Sequence, residues 1–223
     1  MVAATAHQND HWPEVTPERI RTAAQTLAAA LREANIALAV FPCAEVMARP
    51  DIESAWRRGE LLSVADRGQY LLVEMPHGLY VDLRDHVRSL RQAGVRVILA
   101  HPERCPELLH EAGLIEDFIE AGCLVQVSTH SITEFASRAD QQALKRWFQR
   151  GVVHVMGSDG HSATRRPPRV MQAYRQVVAW AGDITADRVA STNGLAILQG
   201  LPLQLEPPNR TRKHWLTGFW QKR

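Results

Sequence analysis

Short apolar runs that end in metal-binding side chains constrain this fold more than any other feature of the sequence. Each run is rich in Val, Ile or Leu and is followed directly by His, Glu or Asp, as a buried strand followed by a functional loop would be. Parallel strands bring their carboxyl ends to one rim of a sheet. We therefore predict a barrel-like α/β protein with its site at that rim. The runs are 70–73 before Glu74, 97–100 before His101-Pro102-Glu103-Arg104, and 153–156 before Gly157-Ser158-Asp159-Gly160-His161.

Helical patterns alternate with these runs along the chain. Thr16 can cap a first helix with its hydroxyl. Pro17 suits the first position of that helix because the N–H it lacks is not needed there. Glycines then end most segments, and this alternation favours parallel strands joined by crossover helices. The predicted strands are 36–41, 70–73, 95–100, 124–127 and 152–156, and the later predicted helices are 83–93, 106–121, 141–150 and 168–180.

Composition narrows the class of protein. A chain of 223 residues suits one α/β domain with a sizeable core. The net charge of +2 gives no reason to expect a nucleic-acid partner. Three cysteines are too few for a disulfide framework and fit a reducing compartment. The N-terminus has no basic segment followed by an apolar core, and no apolar run approaches the length of a membrane span, so a cytoplasmic location is expected.

The last stretch of the chain differs from the rest. We divide the sequence into a metallophosphatase-like domain over 1–204 and a basic tail over 205–223, in which Trp215, Phe219 and Trp220 lie among Lys and Arg. Such a tail could contact an anionic membrane surface or an acidic partner. Packing of its aromatic rings on the barrel is the alternative, and all six tryptophans are otherwise expected to serve packing.

Six side chains are candidate metal ligands because they fall at or near the ends of the inferred strands. Carboxylate oxygen and neutral imidazole nitrogen together suit Mn, Fe or Zn better than Ca. Each has an ordinary alternative: a turn at Asp159, a structural role for His101, and solvated carboxylates elsewhere. The six are His7, Glu45, Glu74, His101, Asp159 and His161.

Two arginines lie close in sequence to these candidates. Arg104 follows His101 by three residues, and Arg166 follows His161 by five. A guanidinium beside a metal cluster has the right shape for bidentate contact with phosphate oxygens. Surface solubility is the competing role for both, and Arg165 and Arg169 are alternatives to Arg166.

A second phosphatase pattern is also present. Cys43 and Arg49 fit Cys-x5-Arg, the phosphate loop of thiol-dependent tyrosine phosphatases. The loop lacks glycine, Pro50 opposes the helix that should follow, and Glu45 would place a negative charge in the phosphate cradle. A small buried thiol is the preferred interpretation of Cys43.

Taken together, these motifs resemble the PHP-domain bacterial tyrosine-protein phosphatases of capsular and exopolysaccharide synthesis. The resemblance rests on Ala4-Thr5-Ala6-His7, Ala44-Glu45, 70–76, 100–104 and Ser158-Asp159-Gly160-His161, and it extends from His7 to about Leu203. It implies a distorted (β/α)7 TIM-like barrel with a multinuclear cluster, usually of Mn²⁺. It also implies hydrolysis of phosphotyrosine on a protein, a bacterial tyrosine kinase, by a metal-activated hydroxide.

By the same resemblance, the six candidates would hold the metals and Arg104 and Arg166 would bind the phosphate. Either His161 or a metal-bound water could assist proton transfer to the leaving group. The family begins with a strand carrying a His-x-His pair, whereas this sequence starts at the strand of the next histidine. We therefore expect the first strand and helix of the barrel to be missing here. Two alternatives stay open: a PHP phosphoesterase acting on a small monoester such as histidinol phosphate, and an inactive truncated binding module.

Overall fold

A single parallel sheet organises the molecule in the computed structural model, which describes residues 1–203. Its six strands follow one another in chain order, β1-β2-β3-β4-β5-β6, and every neighbouring pair is parallel. This confirms the parallel α/β architecture. The predicted tail, 205–223, lies outside the described residues. The strands are β1 Val2–Gln8, β2 Val40–Met47, β3 Tyr70–Glu74, β4 Arg96–Ala100, β5 Leu124–Ser128 and β6 Val155–Gly157.

Helices connect the strands, as the sequence pattern predicts. The hydroxyl of Thr16 accepts a hydrogen bond from the backbone N–H of Arg19 at 3.4 Å, with Pro17 at the first helical position. The helices are α1 Pro17–Glu33, α2 Ile52–Arg57, α3 Arg84–Gln92, α4 Pro106–His110, α5 Ala112–Ala121, α6 Thr129–Thr133, α7 Arg138–Gln149, α8 Met171–Ala181, α9 Asp183–Asp187 and α10 Asn193–Gln199.

Three predicted boundaries are wrong. The single helix over 106–121 is two helices, because Glu111 leaves the helical conformation at φ −99° and ψ 81°. The strand expected over 36–41 is β2, which starts later and runs on to Met47. The strand expected over 152–156 is the short β6, although the N–H of His154 already donates to the carbonyl of Val125 at 3.0 Å.

The core fills the space between the sheet and its helices. Phe118, Trp147 and Phe148 are among its largest buried side chains, and the apolar runs of the strands pack beneath them. A smaller group of buried residues, which includes Cys43, Tyr70, Ile98 and Leu124, lies on the other face of the sheet. Such a core suits a sheet covered by crossover helices.

The two edge strands border one cavity of about 740 Å³. Val2, Ala3 and Thr5 of β1 line it together with Val155 and Met156 of β6. Within 1–203, β1 and β6 each have a single strand partner. No helix in this part of the chain is long and apolar enough to cross a membrane.

Candidate metal centre

The carboxyl ends of the strands bring the six candidate ligands to one rim. His7 lies near the end of β1 and is paired in register with Glu45 of β2. Glu74 is the last residue of β3, and His101 directly follows β4. Asp159 and His161 follow β6. The parallel arrangement therefore places at one edge the residues that are scattered along the sequence.

Two histidines and two glutamates form the inner part of this cluster. His7 Nδ1 donates to Glu74 Oε1 at 3.1 Å, and His101 Nε2 donates to Glu45 Oε1 at 2.7 Å. His101 Nε2 also lies 3.7 Å from Glu74 Oε2. One ligand atom each from His7, Glu45 and Glu74 lies within 4.8 Å of the others, so these three could hold a metal ion together.

His161 closes the cluster on the side of β6. Its Nδ1 donates to the backbone carbonyl of Asp159 at 2.9 Å, while its Nε2 lies 3.4 Å from Nε2 of His7. Since Nδ1 of each ring is used as a donor, both Nε2 atoms carry lone pairs when the rings are neutral. Two lone pairs that face each other require a cation or a proton between them. This donor arrangement, with Nδ1 held by a carboxylate or a carbonyl, is the one that metal-ligating histidines use.

The electrostatics of the cluster follow from these contacts. The hydrogen bond to Glu74 raises the pKa of His7. Burial opposes this effect, and the charges of Glu74 and Glu45 add to it. Burial of Glu45 acts to raise its pKa. The hydrogen bond from His101 and the nearby positive charges outweigh burial, however, and hold that pKa below its usual range. Glu45 is therefore a buried carboxylate that stays ionised, as a metal ligand must be.

Asp159 connects the cluster to both candidate phosphate-binding arginines. Its carboxylate, 6% exposed, forms ion pairs with Arg104 and Arg166 and lies 3.5 Å from His161 Nδ1. The Ser128 hydroxyl accepts a hydrogen bond from Arg104 Nη2 at 3.2 Å and donates one to Asp159 Oδ2 at 3.4 Å. Burial and the charge of Arg104 lower the pKa of Arg166. The structure thus brings two guanidinium groups to the edge of the candidate metal site.

His101 adopts an unusual backbone conformation. Its φ of 33° lies in the left-handed region, which is uncommon for a residue other than glycine. Its N–H donates to Gln126 Oε1 at 3.2 Å, which helps to hold this conformation. The Gln126 amide in turn needs the empty space above Gly157, where a Cβ atom would lie 2.3 Å from Gln126 Nε2.

Three residues at the candidate site, Glu103, Ser128 and Gln126, are not among the ligands and arginines predicted from the sequence. Glu103 is buried, its pKa is raised by that burial, and its Oε1 accepts from the N–H of Ser128 at 3.0 Å. Ser128 and Gln126 belong to β5, whose carboxyl end carries none of the six candidates. Ser128 ends its strand, and Gln126 lies two residues earlier with its side chain on the same face, which is the sequence signal that could have found them.

Trp12 departs from the expectation that the tryptophans serve packing. It is 48% exposed, and its ring stacks on that of His7, with centroids 5.9 Å apart and planes 28° from parallel. Its place five residues after a candidate ligand was the available signal.

The Cys-x5-Arg pattern does not form a phosphate loop. Burial raises the pKa of the Cys43 thiol to about 12, so the thiolate is not available near neutral pH. Cys43 lies within β2, and Arg49 forms an ion pair with Asp51. A buried thiol is therefore the correct interpretation.

Fold and site together define a class of protein: a parallel α/β sheet whose carboxyl rim carries a candidate metal centre flanked by two arginines. Within that class, the family model for capsular polysaccharide synthesis proteins, CpsB/CapC, matches residues 1–199. The chain belongs to this family. The resemblance found in the sequence is thereby confirmed at the level of the family.

Named relatives support the same assignment. The tyrosine-protein phosphatase YwqE of Bacillus subtilis is 24% identical over 227 residues, which cover 98% of this chain and 86% of that protein. The tyrosine-protein phosphatase CpsB of Streptococcus pneumoniae is 24% identical over 179 residues, which cover 78% of this chain and 73% of that protein.

A solved structure shows the same fold. It comes from work on YwqE and CpsB, described there as unique metal-dependent tyrosine phosphatases, and it superposes with a TM-score of 0.85 at 23% identity. The match covers 94% of this chain and 84% of the other.

Proposed function

We propose that this protein is a metal-dependent phosphatase that hydrolyses phosphotyrosine on a protein. The observation that carries the proposal is the juxtaposition of two imidazole Nε2 atoms, 3.4 Å apart, with buried carboxylates and two guanidinium groups at one rim. The names of the relatives, all tyrosine-protein phosphatases, support the substrate class.

The proposed metal ligands are the six rim residues His7, Glu45, Glu74, His101, Asp159 and His161, and the proposed ion is Mn²⁺, with Fe or Zn as alternatives. Mixed imidazole and carboxylate donors suit these ions. Bound divalent cations lower the pKa of coordinated water and neutralise phosphate charge.

The chain's own residues would orient and stabilise the phosphate. Arg104 and Arg166 present planar guanidinium groups that match phosphate oxygens and would stabilise the charge that develops on them. Asp159 forms ion pairs with both of these groups and so holds them at the rim. His161 lies at the exposed side of the cluster, but the Asp159 carbonyl holds its Nδ1 and its Nε2 faces the proposed metal, so a metal-bound water would be the better proton donor to the leaving oxygen. A tyrosyl oxygen, with a pKa near 10, needs little such help.

The finer architecture is also proposed. The cavity bordered by β1 and β6 supports a distorted (β/α)7 barrel in which one further strand would lie between the two edges. We propose that residues 1–204 form the phosphatase domain and that 205–223 form a separate basic tail able to contact a membrane surface. A cytoplasmic location is supported by three unpaired, buried cysteines.

The proposed physiological substrate is a phosphorylated bacterial tyrosine kinase of polysaccharide synthesis, supported by the capsule-synthesis family. A small phosphomonoester such as histidinol phosphate is the alternative substrate, and an inactive binding module is the alternative function.

Hydrolysis of p-nitrophenyl phosphate with Mn²⁺, and with a chelator in its place, tests the proposal. We expect turnover that requires the metal and that is higher for a phosphotyrosine peptide than for histidinol phosphate. A folded protein that shows no metal-dependent turnover would contradict the enzyme assignment. A preference for histidinol phosphate would reassign the substrate.

A further inference from the structure

One large apolar side chain lies exposed directly beside the candidate metal centre. Trp12, in the loop between β1 and α1, stacks one face of its indole on the ring of His7. The ring of His11 meets it edge-on, with centroids 6.2 Å apart. Nearly half of the Trp12 surface still faces solvent. Single exposed hydrophobic residues are common, so the significance of this one depends on how it is held and on what it borders.

The loop holds Trp12 in place through its backbone. The N–H of Trp12 donates to the carbonyl of Asn9 at 3.2 Å, and the N–H of Val15 donates to the carbonyl of Trp12 at 2.9 Å. The Asn9 side chain accepts from the N–H of His11 at 3.0 Å, and Val15 packs against the core. These bonds fix the backbone of Trp12 and the stacking on His7 orients its ring, so the side chain loses little conformational freedom when a ligand covers it.

The ring that Trp12 covers belongs to the proposed phosphate-processing cluster. His7 bonds to Glu74 on one side and faces His161 on the other. In phosphotyrosine the phenyl ring is joined to phosphorus through a single oxygen. A phosphoryl group bound at this cluster therefore brings its phenyl ring to the immediate border of the ligand residues, which is where the indole lies.

The geometry points to Trp12 as an aryl subsite that stacks against the phenyl ring of the phosphotyrosine substrate. This inference rests on the proposed function and goes beyond it, because it assigns the selection of aryl over alkyl phosphates to one side chain. Offset stacking of two aromatic rings contributes enough to change affinity by about three- to tenfold. Phosphoserine has no ring to stack and gains nothing from the subsite.

Trp12→Ala and Trp12→Phe provide the test. The substrates are one peptide carrying either phosphotyrosine or phosphoserine, assayed with Mn²⁺. We expect Trp12→Ala to lower kcat/KM for the phosphotyrosine peptide by about three- to tenfold, mainly through KM, and to leave the phosphoserine peptide unchanged. Trp12→Phe should retain most of the preference. Ile184→Ala removes another exposed apolar side chain, 85% exposed on α9, and should change neither substrate.

A binding measurement separates this inference from the proposed function. Calorimetry with Mn²⁺ present compares phenylphosphonate with methylphosphonate, neither of which is hydrolysed. We expect the wild-type protein to prefer the phenyl compound and Trp12→Ala to lose that preference. If neither peptide is hydrolysed but this pattern is found, the catalytic assignment fails and the subsite stands.

Two results would overturn the subsite. The first is an active protein whose aryl-to-alkyl ratios, for both peptides and phosphonates, are the same in Trp12→Ala as in the wild type. The second is a loss of Mn²⁺ affinity in Trp12→Ala that accounts for its whole defect, because Trp12 would then only position His7.

Discussion

The carboxyl rim of the sheet favours the charged forms of its ionisable side chains, whereas the interior of the sheet favours the neutral forms. At the rim, the hydrogen bond to Glu74 raises the pKa of His7, and Glu45 remains ionised despite its burial. In the interior, burial lowers the pKa of His154 to about 3 and raises that of Cys43 to about 12. His154 lies only one residue before β6, whose other end leads to Asp159.

The difference comes from partners rather than from burial. Glu45 is about as deeply buried as His154, yet its carboxylate accepts a hydrogen bond from His101, whereas the partners of the His154 ring are backbone groups, among them the N–H of Val125, which donates to Nδ1 at 3.0 Å. Charge is stable in a protein interior only where an opposite charge meets it. At the rim, the buried carboxylates meet such partners, and a second buried pair of this kind, Glu116 with Arg150, lies between α5 and the end of α7.

The largest expected effect comes from removing charge at the rim. Glu45→Gln keeps the size of the side chain but loses its negative charge, so we expect weaker Mn²⁺ binding and a fall in kcat/KM of about a hundredfold or more. Mn²⁺ titration and p-nitrophenyl phosphate hydrolysis measure the two effects.

Glu33→Gln, an exposed position near the end of α1, is the matched control and should leave both quantities unchanged. Wild-type metal affinity in Glu45→Gln would remove Glu45 from the ligand set.

An intermediate effect, on the stability of the fold, is expected from His154 in the interior as the pH falls. Because His154 has a pKa of about 3 when folded and an ordinary value of 6.5, only the unfolded chain takes up its proton between these values. The contribution of neutral His154 to the free energy of unfolding is complete above pH 6.5 and falls toward pH 3 by about 1.4 kcal/mol per pH unit. His154→Asn retains an acceptor for the Val125 N–H and should flatten this dependence. Urea unfolding at several pH values measures it, and parallel curves for the two proteins would contradict it.

The smallest effect on activity is expected at the interior cysteine. Cys43→Ser replaces a buried thiol that is neutral near pH 7, so metal-dependent turnover should stay within about twofold of wild type. The buried hydroxyl should lower the free energy of unfolding by about 1–2 kcal/mol. Kinetics and thermal unfolding separate the two outcomes, and a collapse of turnover in a folded protein would restore the thiol mechanism.

The sequence predicts the placement of the candidate ligands because strand periodicity and parallel topology together decide which residues share a rim. Glu74, His101 and Asp159 each follow an apolar run, and the sheet order brings those ends together. Their metal-binding roles stay predictions.

Details set by tertiary contacts could not be predicted in this way. The pairing of Asp159 with both arginines depends on distances between loops, and the left-handed backbone of His101 depends on Gln126 of a neighbouring strand. The sequence predicts a packing role for Trp12 because composition does not reveal which surface a loop exposes. The break between α4 and α5 falls at Glu111, two residues before Gly113, and this glycine is the signal in the sequence that could have marked it.

Because Gln126 lies against Gly157, the rim is sensitive to mutation at a residue that has no functional side chain. Any side chain at Gly157 would collide with the Gln126 amide and displace it from the His101 N–H. The disturbance would pass from β6 through Gln126 of β5 to the histidine that directly follows β4, so a substitution at this glycine would alter the rim although Gly157 is not one of the six candidate ligands.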